Sequence, residues 1–111
     1  MDSKKAQKLD FENEKVKIGV ERGVWHGGPF TVVRYKYDPG AIFPPHSHES
    51  SQLTVVLTGT IVFFIGDDEF SVSAGETIYI PSNETHGAEV PKGGESVLSL
   101  NIFHPPRKEH P

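Results

Sequence analysis

An all-β fold, a two-sheet sandwich or small barrel, is predicted for this 111-residue chain by three observations. Val, Ile and Thr supply 24 residues against 5 Leu and 4 Ala, a bias toward side chains that pack on a pleated sheet. Gly and Pro supply another 20 residues, which points to many turns. Short runs of apolar residues recur at roughly ten-residue spacing with no helical stretch between them. The length is one domain's worth, and a chain of this size buries roughly two-thirds of its unfolded surface, enough for one barrel.

Residues 1–14 are polar and mixed in charge, with Leu9 and Phe11 the only large apolar side chains. They read as a flexible N-terminal extension whose late pairing with a sheet edge stays open, ahead of a single barrel over residues 15–111 with a short C-terminal tail. Phe30–Asp38 alternates, with Val33, Tyr35 and Tyr37 opposite Arg34 and Lys36. Gln52–Thr58 alternates as well, with Leu53, Val55 and Leu57 opposite Gln52, Thr54, Val56 and Thr58. Ile61–Ile65 is apolar on both faces, as in a strand buried between sheets. Gly66-Asp67-Asp68 turns it into Glu69–Val72, and Thr77–Ile80, His86–Val90 and Val97–Phe103 complete the strands. Further turns fall at Gly27-Gly28-Pro29, Asp38-Pro39-Gly40, Gly59, Ala74-Gly75, Pro81-Ser82-Asn83 and Lys92-Gly93-Gly94.

Composition excludes several functions. A net charge of −4 with no basic stripe argues against nucleic acid. With no cysteine, disulfides, thiolate zinc sites and thiol catalysis are ruled out. No signal-peptide pattern opens the chain, and no apolar run approaches a membrane span. A cytoplasmic protein whose partners are small molecules or copies of itself is the expectation.

The chemistry concentrates around His46 and His48. On an extended chain, residues two apart share a face, so the two imidazoles are presented together, and Gln52 has the same parity. Imidazoles with one carbonyl oxygen suit a divalent first-row metal: Ni, Fe, Zn and Mn all accept such a set. Pro44 and Pro45 stiffen the approach. His86, after Pro81-Ser82-Asn83, is the best-placed fourth ligand. His26 reads as a surface loop histidine, and His104 and His110 as tail residues.

Gly40 to Gly59 reads G-x5-H-x-H-x3-Q-x6-G, and Gly75 to His86 reads G-x5-P-x-N-x2-H. These segments resemble the two motifs of the cupin superfamily, over about Phe30 to Arg107. The resemblance implies a double-stranded β-helix, the jelly-roll-like cupin barrel, with one divalent metal held by His46, His48, Gln52 and His86. It also implies a homodimer. Gln52 stands where these proteins usually carry Glu, which leaves the ion its full charge and makes it a stronger Lewis acid bound less tightly. Asn83 replaces the usual Gly, and Asn tolerates the positive φ that such a turn needs.

Asn101-Ile102-Phe103-His104-Pro105-Pro106-Arg107 narrows the reading. Three His, one Gln and this terminal segment are similar to the small cupins of pectin and alginate breakdown, which linearise 4,5-unsaturated monouronates. In that family the Phe lines the pocket, the Arg contacts substrate and an Asp is the supposed proton-transfer group. Phe103 and Arg107 match, whereas Asn101 replaces the Asp, and an amide is no general base at neutral pH. The proton would then move through a metal-bound water, Tyr35 or His26. The expected function is metal-dependent isomerisation or ring opening of a small acidic sugar, with Asn101, Phe103 and Arg107 facing the substrate. The alternatives are a metal-dependent dioxygenase of a small organic substrate and a non-catalytic sugar-acid-binding cupin. Because 111 residues leave no space for an attached DNA-binding domain, an enzyme is the preferred expectation.

Overall fold

A computed structural model describes residues 6–107. Ten strands run in chain order: β1 Glu12–Lys17, β2 Val20–Gly27, β3 Phe30–Tyr37, β4 Ile42–His46, β5 Ser51–Thr58, β6 Thr60–Ile65, β7 Asp68–Ser73, β8 Thr77–Ile80, β9 His86–Glu89 and β10 Val97–His104. They form two wholly antiparallel sheets, β1-β2-β3-β10-β5-β8 and β4-β9-β6-β7. No helix is present among the described residues. The all-β character follows from the composition: β-branched residues fill the sheets and Gly-rich turns join them. Gly28 and Gly66 turn two hairpins at φ 67° and 60°, where a Cβ would be strained.

The core lies between the sheets. Val33, Tyr35 and Tyr37 on β3, Val56 on β5, Ile61 and Phe63 on β6, and Val97 and Phe103 on β10 all face inward and are buried. On β5 the inward row is Gln52, Thr54 and Val56, so the polar half of the alternation is buried and Leu53 and Leu57 are exposed. β10 repeats this arrangement: Ser99, Asn101 and Phe103 point in, while Leu98, Leu100 and Ile102 lie half-buried on the outer face. An apolar face of the larger sheet therefore points outward, and polar side chains of β5 and β10 share the interior with the apolar core.

β1 begins at Glu12, inside the segment read as an extension, and pairs with β2 at the edge of the larger sheet. β1, β2 and β4 carry no alternation that reveals them in the sequence. β1 is charged at nearly every position, and β4 contains two prolines that break its ladder with a bulge between Phe43 and His46.

Candidate metal centre

Register brings the polar interior residues together. In the pairing of β10 with β5, Asn101 lies opposite Thr54 and Phe103 opposite Gln52. In the pairing of β4 with β9, His46 lies opposite His86. The turn before β9 supports the segment after β4: the Asn83 N–H donates to His48 O at 2.8 Å, and the Ser82 hydroxyl donates to Glu49 O. Asn83 holds φ 63°, so the amide side chain does tolerate the turn that glycine usually makes.

Three imidazoles converge. Ring centroids are 4.5 Å apart for His46 and His86, 4.9 Å for His48 and His86, and 5.7 Å for His46 and His48. Their ligand nitrogens all lie within 4.8 Å of one another, so the triad could hold a metal ion. Each Nδ1 is paired with a backbone carbonyl: His46 with Pro44 O at 2.9 Å, His48 with Ser50 O at 2.8 Å, His86 with Glu84 O at 2.8 Å. A carbonyl only accepts, so each Nδ1 carries the proton and each Nε2 keeps a lone pair for a ligand.

Two further observations test whether a divalent ion fits. His86 Nε2 is buried without a hydrogen-bond partner among the described residues, a costly state for a polar atom unless a ligand completes it. Gln52 Oε1 sits 3.1 Å from His48 Nε2, so two acceptors face one another, as they would around a cation. The donor set of three imidazoles and one amide oxygen fits a divalent transition metal. Burial lowers the pKa of His86 to about 4, with like charges from His46, His48 and Arg107 acting the same way against the Glu84 carbonyl. Burial also lowers that of His48. At neutral pH both rings are therefore in the unprotonated form that binds metal.

His46, Gln52, His86, Asn101, Phe103 and Arg107 line one cavity, joined by Tyr35, Tyr37, Phe43 and Phe63. His48 packs edge-on against Phe103 at 5.4 Å. The cavity offers about 30 Å³ to water, room for one or two molecules, and no acidic side chain lines it among the described residues. Arg107 is half-buried with its guanidinium 5.0 Å from the centre of the Phe103 ring. The last residues are held by Ser50 Oγ donating to Pro105 O at 2.6 Å and by the Arg107 N–H donating to Thr31 Oγ1 at 3.1 Å. Burial weakens the protonation of Arg107 and nearby Tyr35 supports it. Tyr37 is pushed well above the ordinary phenol range by burial, opposed in part by a hydrogen bond to Asn101, so it stays neutral. A wider groove of about 560 Å³, lined by Asn13, Glu14, Arg34 and Lys36 among others, lies on the outer face away from the imidazoles and is flanked by solvated charges.

Of the residues singled out in the sequence, the four candidate ligands and Asn101, Phe103 and Arg107 come together here. His26 does not: it is exposed on β2 and bonded to Thr31. His104 is exposed, with Nδ1 donating to Pro29 O at 2.9 Å, and His110 lies outside the described residues. Thr54, Tyr37 and Phe43 were not legible as site residues. Thr54 shares the parity of Gln52 in β5, and that was its only signal.

A jelly-roll barrel with an imidazole triad at one end of its interior defines the class, and the chain belongs to the cupin family: the family described as Cupin domain matches residues 33–103. Among solved structures it is similar to KdgF from Halomonas sp., at 26% identity, covering 87% of this chain and 88% of that one with a TM-score of 0.79. It is also similar to an RmlC-like cupin from Shewanella frigidimarina, at 23% identity and TM-score 0.79, covering 93% and 91% of the two chains. The HTH-type transcriptional activator RhaR of Mannheimia succiniciproducens is 33% identical over 82 residues. That match covers 72% of this chain but 27% of RhaR, so the chain spans about a quarter of the length of this curated relative. Among the described residues no helix is long and apolar enough to cross a membrane.

Proposed function

We propose that the protein is a metal-dependent cupin that binds a small acidic sugar and opens or isomerises its ring, with an unsaturated uronate as the substrate class. The observation that carries this reading is one cavity lined by imidazoles, an amide ligand, Phe103 and Arg107, with no carboxylate among the described residues to repel an anion. The terminal Phe103…Arg107 pattern and the likeness to Halomonas KdgF support it.

His46, His48, His86 and Gln52 would hold one divalent ion, which when bound supplies a Lewis acid for developing oxyanion character. Arg107 offers a two-pronged contact to the sugar carboxylate. A sugar ring exceeds the present cavity, so its entry requires lining side chains to move. Phe103, Tyr35 and Phe43 then pack against the ring and exclude water. Asn101 orients the ligand by hydrogen bonding and cannot take its proton. Tyr37 Oη, kept neutral by burial, offers the ligand a hydrogen bond and is too weak an acid to give up its proton. The expected assembly is a homodimer, supported by the apolar outer face that carries Leu53, Leu57 and Leu100.

Asn101 and the match to a transcriptional activator favour a second reading, a sugar-acid-binding module without turnover. Conjugated ultraviolet absorbance separates the two. Metal-loaded wild type is expected to consume the absorbance of an unsaturated monouronate. Decay only in Asn101→Asp would favour the binding module, and silence in both proteins would remove the uronate assignment.

A further inference from the structure

An amide ligand raises a problem that a carboxylate does not. A carboxylate presents an acceptor oxygen whichever way it turns, whereas an amide presents oxygen in one orientation and an NH₂ group in the other. Gln52 must be held with its oxygen toward the imidazoles, and the structure contains a device for this. Gln52 Nε2 donates to Thr54 Oγ1 at 2.8 Å, and Thr54 Oγ1 donates onward to Asn101 Oδ1 at 2.9 Å. A hydroxyl has a single proton. Once Thr54 commits it to Asn101, only lone pairs face Gln52, and only the NH₂ end of the amide satisfies them. Gln52 Oε1 is thereby aimed at His48 Nε2, 3.1 Å away. Gln52, Thr54 and Asn101 are 4%, 1% and 6% exposed, so bulk solvent does not reach these bonds.

The geometry points to Thr54 as a positioning residue of the metal centre: its hydroxyl, polarised by Asn101, fixes the Gln52 amide oxygen-inward. The inference rests on the metal reading above. It also gives Asn101 a task that needs no basicity, since an amide oxygen accepts the Thr54 proton as well as a carboxylate oxygen would.

The test titrates metal-stripped protein with Co(II), reading affinity and d–d absorption in the wild type, Thr54→Val, Thr54→Ser, Gln52→Glu and the Gln52→Glu/Thr54→Val double variant. Thr54→Val is expected to weaken binding about tenfold and shift the absorption, as loss of an outer hydrogen bond to a ligand does. Thr54→Ser restores both. In the Gln52→Glu background the same Val substitution changes affinity by less than about twofold, because either carboxylate oxygen can serve. Unchanged affinity in Thr54→Val, or an equal loss in both backgrounds, overturns the inference. Should Thr54→Val not fold, Asn101→Ala takes its place: it frees the hydroxyl to turn, and unchanged affinity and absorption there overturn the inference equally. Failure of the metal reading looks different: wild type and His86→Ala then show the same weak, imidazole-free Co(II) spectrum.

Discussion

His86 sets the acid limit of the metal-free fold. Its folded-state pKa is lowered to about 4, chiefly by burial, while an unfolded histidine titrates near 6.5. Between those values the unfolded chain holds a proton that the folded chain does not, so stability rises with pH through this window and levels off above it. His48 is shifted in the same direction. The metal-free protein is therefore expected to lose on the order of 2 kcal/mol between pH 7 and pH 4.5, after allowance for solvent screening. Denaturant unfolding measures this, and a slope as steep in His86→Leu would contradict it. Arg107→Ala, by contrast, leaves metal affinity intact and weakens an acidic ligand roughly tenfold or more, the worth of a charge-assisted pair. Calorimetry showing equal ligand affinity would remove Arg107 from the site. The candidate ligands were legible because His46-x-His48 and the turn ahead of His86 stand out in a chain with six histidines. Thr54 was not, because a threonine on a strand face looks the same in any sheet until its partner across the ladder is known.

β4 and β9 form the element that brings two candidate ligands together, and Gly87 permits their approach. A Cβ there would stand 2.9 Å from Phe43 O and 3.2 Å from Pro45 N, both backbone atoms that cannot swing away. Gly87→Ala is expected to cost about 1–3 kcal/mol by overpacking and to loosen metal binding, because His86 is the next residue. Urea unfolding and a metal titration check both parts, and a neutral substitution would show that the strands have slack. The sequence hid β4 because Pro44 and Pro45 interrupt any alternation there, although a bulged edge strand accommodates them. It revealed β3, β5 and β10 through alternation, but alternation does not say which face is inside. Burial of Gln52, Thr54, Ser99 and Asn101 against exposure of Leu53 and Leu57 shows that the polar rows face inward, and the pairing of Asn101 with Thr54 and Phe103 with Gln52 brings them together.

The whole molecule carries its apolar surplus outside. Trp25, Val32, Ile102, Leu53 and Tyr79 stand in register across five strands of the larger sheet, and Leu53 and Tyr79 are 37% and 60% exposed. A row of this kind on an outer face suits a second copy. Sedimentation is expected to show a dimer at micromolar concentration and a monomer for Leu53→Arg, and a monomeric wild type would remove the assembly. The net charge of −4 lies outside the cavity, which is lined by imidazoles, amides and Arg107. Global charge therefore says little about the ligand, and local charge favours an anion.

Whether the three imidazoles and Gln52 form one metal centre is decided by anomalous diffraction from crystals grown with Ni(II). A single strong peak per chain is expected, bonded to Nε2 of His46, His48 and His86 and to the amide oxygen of Gln52. A cavity without such a peak at saturating metal, or a peak at some other set of residues, would contradict it.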